Sequence, residues 1–325
     1  MPGCAAPGPA YPVGVRSPLA LAALATVAVP GFDARAVRAT DSGGDDDTAV
    51  VTDAQNARWV VRAPRSSAAG AALEAELVLL GGLAQAVDDG KLPFDVPRTV
   101  GTAPLDEGGR AVMYRQLKGR PVPLDRLQPG PGTAAALGRA IGALHELPPT
   151  LIEEAGLPVY DAAAYRQRRQ SEVDEAARTG RVPATLLRRW EERLEDIALW
   201  KFSPTVVHGD LSADHVLTAD GEITGVLSWG EAKVADPADD LAWLLVAAPQ
   251  DAVDSVMEAY QLRRTELTDP FIADRALLAG ELALVRWLLY GVRTHDDEVI
   301  ADAVSMLDEL DEQTRELPDP EPVAD

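Results

Sequence analysis

A polar loop set between short apolar strands, with a tight hairpin directly behind it, constrains this chain more than any other stretch. Thr205-Val206-Val207 leads into His208-Gly209-Asp210-Leu211-Ser212-Ala213-Asp214-His215, and His215-Val216-Leu217 reads as a strand. Ala219-Asp220-Gly221 supplies a turn, and a second strand runs from Ile223 to Leu227 before Ser228-Trp229-Gly230 ends it. Short apolar runs bounded by turn residues behave this way. The order predicts a hairpin with Asp210, His215 and Ser228 at its mouth. Asp236-Pro237-Ala238-Asp239-Asp240-Leu241-Ala242 follows closely.

Together these residues resemble the signature of the antibiotic-phosphotransferase branch of the protein-kinase-like fold. Its usual form is His-Gly-Asp-Leu, an Asn five residues past the Asp, Ile-Asp-Trp, and then Gly-Asp-Pro-x-x-Asp-Leu-Ala. The resemblance implies a bilobal α+β fold, with a small β-rich N-lobe and a larger, mostly helical C-lobe. It also implies a phosphotransferase using GTP or ATP with Mg²⁺, GTP being favoured by macrolide kinases as a group. Asp210 then takes the role of orienting the acceptor hydroxyl. His215 stands where Asn usually meets the second metal ion, and in this it resembles the macrolide 2'-phosphotransferases rather than the aminoglycoside enzymes. Ser228 stands where a metal-binding Asp is usual, so a neutral oxygen replaces a carboxylate. Glu231, on the same turn, is the alternative acidic donor.

Further roles follow from the same likeness. Arg62 ends a strand where kinases place the phosphate-pairing Lys, and the macrolide branch also has Arg there. Glu76 on the following helix is its expected partner, with Glu74 as the alternative. The stretch from Val112 to Leu117 resembles the hinge that hydrogen-bonds the purine, which makes Met113, Tyr114, Arg115 and Leu117 nucleotide candidates. Asp236 and Asp240 resemble buried carboxylates that hold the catalytic loop through backbone N–H groups. Trp229 is expected to pack beside the site. Phe271, Leu284, Trp287 and Tyr290 are read either as lining for an apolar drug or as core.

Composition narrows the classes. Fifty-two acidic against 30 basic residues give a net charge of −22, which argues against a nucleic-acid partner, since that affinity rests on Lys and Arg neutralising phosphates. It is compatible with a cationic small molecule. Cys4 is the single cysteine, so neither an intrachain disulfide nor a cysteine-based metal site is available. The apolar run from Pro18 to Pro30 falls short of the roughly 20 residues a membrane span needs. It is expected to be a buried amphipathic helix of a cytoplasmic protein.

Along the chain, residues 1–15 read as a loose arm, 16–117 as the N-lobe with the hinge at its end, 118–317 as the C-lobe, and 318–325 as a disordered acidic tail. Strands are expected at Val37 to Thr40, Thr48 to Thr52, Arg58 to Arg62, Val96 to Val100 and Ala111 to Leu117, with a helix over Ala69 to Leu83. The turn from Ser42 to Asp47 sits where a phosphate loop would lie, and its three aspartates oppose phosphate; only backbone N–H groups near Gly43 and Gly44 are suited to it. Thr133 and Asp161 are expected helix caps, and Pro183 an expected first-turn residue. Later helices are expected over Asp251 to Arg263, Phe271 to Tyr290 and Asp296 to Leu317.

The favoured activity is phosphorylation of a macrolide's 2'-hydroxyl. Two alternatives stay open: a kinase-like binding protein impaired by Ser228, and a phosphotransferase for another small alcohol.

Overall fold

A computed structural model describes residues 15–40, 44–106, 108–266 and 269–315. The proposed arm to Val15 lies outside these residues except for its last position, as do Ser42, Gly43 and the acidic tail. The fold is bilobal α+β. One compact unit is drawn from Met1–Gln85 and Asp95–Lys118, the other from Ala86–Phe94 and Gly119–Asp325.

The first unit opens with helix α1 (Pro18–Ala28), capped by the Ser17 hydroxyl, which accepts from the Ala20 N–H at 3.2 Å. Leu21 and Ala25 are buried, while Leu19 and Val27 remain exposed, so this helix is half-buried. Strands β1 (Ala34–Ala39), β2 (Asp46–Asp53) and β3 (Arg58–Pro64) follow, then α2 (Ser67–Asp88), β4 (Thr99–Pro104) and β5 (Arg110–Arg115). They form one sheet in the order β1-β2-β3-β5-β4, antiparallel throughout. Asp53 builds the β2–β3 turn: its Oδ1 accepts from the Gln55 and Ala57 N–H groups at 2.9 and 2.8 Å, leaving Asn56 at φ 62°. Side-chain bonds to nearby backbone are what favour Asp in turns. Ala49, Val51, Val61, Ala63 and Met113 pack against α1 from the sheet.

Two expectations shift here. Asp46 and Asp47 belong to β2 rather than to a turn, because β2 pairs with β3 as far as Asp46↔Pro64. The strand expected at Val96 begins only at Thr99, since Asp95 Oδ1 accepts from Val96 N–H and Arg98 Nε at 2.9 and 3.0 Å and Pro97 has no N–H to offer a ladder. By length and composition α2 suffices to cross a membrane. It nevertheless buries Leu73, Leu79, Leu80 and Leu83, together with Glu76.

The second unit starts with β6 (Arg120–Pro121), then α3 (Thr133–His145), α4 (Thr150–Glu154), α5 (Ala162–Arg178) and α6 (Ala184–Glu195). Asp161 caps α5 through Ala164 N–H at 2.7 Å. Thr133, expected to cap α3, is instead its first residue and makes no capping bond; Gly132 holds the cap position. Pro183 likewise sits at the cap of α6. Strands β7 (Thr205–Val207), β8 (Val216–Ala219), β9 (Glu222–Val226) and β10 (Lys233–Ala235) come next, followed by α7 (Ala242–Ala247), α8 (Gln250–Arg263), α9 (Ile272–Thr294) and α10 (Asp297–Arg315).

The expected hairpin is present. β8 pairs with β9, and Asp220 and Gly221 both take positive φ, at 53° and 84°, the requirement of a turn matched to strand twist. β6 adds a third strand, and β7 pairs separately with β10. The helical core gathers Tyr165, Leu186, Trp190, Leu282, Val285, Leu288 and Leu307. Phe271 and Leu284 pack against this core, which answers the lining-or-core question for those two. Trp287 and Tyr290 stack on each other at 5.5 Å and stay partly exposed.

Candidate active site

The Asp210 loop begins where β7 ends, and its backbone is held from below by one carboxylate. Asp240, fully buried at the end of the 3-10 turn Pro237–Asp240, accepts from His208 N–H and Gly209 N–H, each at 2.8 Å. His145 of α3 adds a third contact from Nε2 at 3.2 Å, while its Nδ1 faces the Tyr260 hydroxyl at 2.9 Å. Burial alone would raise the Asp240 pKa, but the His145, His208 and Gly209 contacts outweigh it and hold the carboxylate below its usual range. Burial pushes His145 down in turn, so it stays neutral. Asp236, which shares the family likeness, does something else. It binds Arg275 at 2.7 and 3.1 Å and caps the turn through Ala238 N–H. Loop support falls to Asp240.

His208 fastens the loop to the hairpin exit. Its Nε2 donates to the Leu227 carbonyl at 2.7 Å, and its Nδ1 accepts from Asp210 N–H at 3.2 Å. Those roles define a neutral ring, in keeping with burial lowering its pKa. The ring also meets Trp229 edge to face at 4.7 Å, and Trp229 stacks near Phe94. Trp229 is therefore core beside the site.

Gly209 sits at φ 80°, with Lys233 Nζ 2.3 Å and the Glu231 carbonyl 2.5 Å from where a Cβ would stand. Only glycine fits there. Lys233, nearly buried on β10, donates to that Glu231 carbonyl at 3.1 Å, and burial lowers its pKa. Its place under the loop, like that of His145, was not evident from sequence. Strand β10 is three residues long and carries no periodic signal.

With its backbone pinned, Asp210 projects a carboxylate that is 60% exposed. His215 donates from Nδ1 to the Asp210 carbonyl at 2.7 Å and lies 3.7 Å from its Oδ2. A carbonyl can only accept, so Nδ1 carries a proton and Nε2 is the ring nitrogen left to act as an acceptor or metal ligand. Ser228 is exposed and left-handed, at φ 65° and ψ 59°. Among the described residues no group of three or more His, Cys, Asp or Glu is arranged to hold a metal. The donors at the hairpin mouth are thus a carboxylate, an imidazole nitrogen and a hydroxyl. That set fits a magnesium ion held chiefly by nucleotide phosphates, as magnesium often is.

In the β-rich unit, Arg62 pairs with Glu76 through two bonds, at 2.8 and 2.9 Å. Glu74 is taken by Arg110 instead. Arg62 also meets Asp46. Of the hinge candidates, Met113 and Tyr114 lie within β5, paired to β3 on one side and β4 on the other. Their backbone is committed to the sheet, and burial pushes the Tyr114 hydroxyl up to about 12. Pairing to β4 ends at Tyr114, so Arg115 is the first candidate with an unpaired strand edge, and Leu117 lies beyond the strand. A separate cavity of about 580 Å³, walled in part by Phe202, Tyr260, Arg264 and Asp269, contains none of Asp210, His215 or Ser228.

This architecture and loop are those of a kinase-like protein. The chain belongs to the phosphotransferase enzyme family, whose model matches residues 36–277. Among curated relatives, an uncharacterized protein of Bacillus subtilis is 30% identical over 215 residues, 62% of this chain and 66% of the relative. Viomycin phosphotransferase of Streptomyces vinaceus is 32% identical over 112 residues, 33% of this chain and 37% of the relative. The chain therefore spans just under two thirds of the first relative and little more than a third of the second. Among solved structures, a macrolide 2'-phosphotransferase from Brachybacterium faecium is 25% identical with a TM-score of 0.72, covering 85% of this chain and 93% of that one. A type I macrolide 2'-phosphotransferase is also 25% identical, with a TM-score of 0.75 and coverage of 90% and 98%. The GDP complex of an aminoglycoside 2'-phosphotransferase, 22% identical with a TM-score of 0.74 and coverage of 90% and 98%, shares the fold.

Proposed function

We propose that this chain is a nucleotide-dependent phosphotransferase whose acceptor is a small-molecule alcohol, most specifically the 2'-hydroxyl of a macrolide. The observation that carries the reading is the Asp210 carboxylate, exposed on a loop whose backbone Asp240 and His208 hold rigid. A fixed base of this kind contributes about 10²–10⁴ in rate. The acceptor oxygen would attack the terminal phosphorus of GTP or ATP, the bond to the leaving nucleoside diphosphate would break, and the acceptor proton would pass to Asp210. Arg62, held by Glu76, would meet the nucleotide phosphates, and the exit of β5 from Arg115 to Leu117 would face the base. Magnesium would neutralise phosphate charge, with His215 and Ser228 as the side chains to hold it. His215 and the macrolide phosphotransferases at 25% identity favour a macrolide. A nucleoside triphosphate substrate and a single cysteine suit a cytoplasmic enzyme.

Mass spectrometry after incubation with GTP or ATP, magnesium and either a macrolide, kanamycin or viomycin tests this. A phosphorylated macrolide supports the reading. An aminoglycoside or viomycin product without a macrolide product replaces the acceptor. Ser228 motivates one second reading, a protein that binds nucleotide without transferring phosphate; nucleotide binding with no product from any acceptor would select it.

A further inference from the structure

The guanidinium of Arg62 is shared between two carboxylates on opposite sides. Its Nε and Nη2 donate to Asp46 Oδ2 at 3.0 and 2.7 Å, and its Nη1 and Nη2 donate to Glu76 Oε1 and Oε2 at 2.8 and 2.9 Å. Four of the five N–H donors of an arginine are thereby used. Two carboxylates against one guanidinium leave the cluster net negative, which disfavours phosphate where the nucleotide reading needs it welcomed.

The two partners are not equivalent. Glu76 is buried on α2, and its carboxylate is only 3% exposed. Asp46 is at the first position of β2, 18% exposed, and Arg62 is its single side-chain partner among the described residues. Its neighbour Asp47 is the one that anchors the strand. Asp47 accepts from Arg16 N–H at 3.0 Å, Arg16 Nη1 at 3.1 Å and Arg65 Nε at 2.7 Å. Asp46 can therefore let go of Arg62 without the strand losing its anchor, whereas Glu76 cannot turn away without leaving a buried charge unpaired.

We infer that Asp46 is an internal competitor for the phosphate-binding face of Arg62, which a nucleotide has to displace, while Glu76 is the positioning residue that keeps that face aimed. This rests on the nucleotide-binding reading above. It makes Asp46 a determinant of nucleotide affinity that works by opposition.

The test is calorimetric titration of wild type, Asp46→Asn, Asp46→Ala and Glu76→Gln with Mg-GTP and Mg-ATP, with thermal melts of each form without nucleotide. Removing a competing charge-assisted contact should tighten nucleotide binding by about tenfold in both Asp46 variants, and Glu76→Gln should weaken it. Unchanged or weaker binding in folded Asp46 variants, while wild type binds, overturns the inference and leaves the nucleotide reading standing. A drop in melting temperature with no gain in affinity has the same meaning, assigning Asp46 a structural role only. If no form binds either nucleotide, both readings fall together.

Discussion

His208 donates from Nε2 to the carbonyl oxygen of Leu227 at 2.7 Å, tying the loop that carries Asp210 to the residue before Ser228. The same ring accepts from Asp210 N–H. One buried, neutral imidazole thus sets the spacing between the Asp210 loop and the end of β9 next to Ser228.

Asp210→Asn removes the proton acceptor and keeps the shape. Its backbone contacts, to His208 and His215, do not involve the carboxylate. Turnover should fall by about 10²–10⁴, with nucleotide affinity and melting temperature unchanged. Steady-state rates alongside titration calorimetry check it; a variant as fast as wild type would remove Asp210 from the chemistry.

Ser228 separates charge from backbone strain. A left-handed non-glycine residue carries about 1–3 kcal/mol of strain, and Asp tolerates that conformation better than most. Ser228→Gly should stabilise the fold and, with the hydroxyl gone, leave magnesium-dependent nucleotide binding no tighter than in wild type. Ser228→Asp should tighten magnesium-dependent nucleotide binding, since unit charges at about 4 Å interact by roughly 4 kcal/mol at an effective dielectric of about 20, before desolvation is subtracted. Titrating nucleotide against magnesium for the three forms decides it. Identical magnesium curves would mean that Glu231 or the phosphates already suffice.

Asp240→Asn should be the most damaging of these single changes. Two backbone N–H groups and the His145 ring converge on the carboxylate, and an amide would turn its own NH₂ toward one of those donors. A loss of about 2–4 kcal/mol is expected, seen as a lowered denaturant midpoint, together with reduced turnover. Asp236→Asn should spare the loop and weaken the Arg275 contact instead.

Acid should destabilise the fold through the two histidines buried beside the Asp210 loop. His145 and His208 are both pushed below the ordinary histidine value of about 6.5 by burial. The unfolded chain therefore binds more protons than the native one below that pH, and stability falls as pH drops from about 6.5 through the lower native values. Each histidine contributes at most about 1.4 kcal/mol per pH unit in that window. Asp240, held low, adds a loss further into acid. Melting temperature from pH 8 to 5 checks the sign, and His208→Gln should flatten the slope.

The hairpin was legible because its signals are local. Alternating apolar residues, Asp220-Gly221 and the polar loop all lie within a few positions of one another, and β8, β9 and their turn follow them. The two-residue β6 and three-residue β10 carry too little pattern to stand out. They exist because Arg120 finds Thr218 and Lys233 finds Val207 across the chain. The start of β4 moved for a local reason, the Asp95 turn and Pro97, whose effect on a neighbouring apolar run was not evident from spacing.

Sequence alone determined the chemistry on offer: an Asp in a strand-loop-strand setting, a His and a Ser at the hairpin mouth, an Arg ending a strand, and a charge balance unsuited to nucleic acid. Which of several similar residues serves each purpose was decided by the tertiary structure. Asp240 rather than Asp236 holds the loop, Glu76 rather than Glu74 meets Arg62, and Asp46 turns from a loop residue into a second partner of that arginine. The physical reason is range. Turn and strand preferences act over a few residues, whereas a carboxylate's partner is whichever donor packing brings within about 3 Å of it, often from tens of positions away.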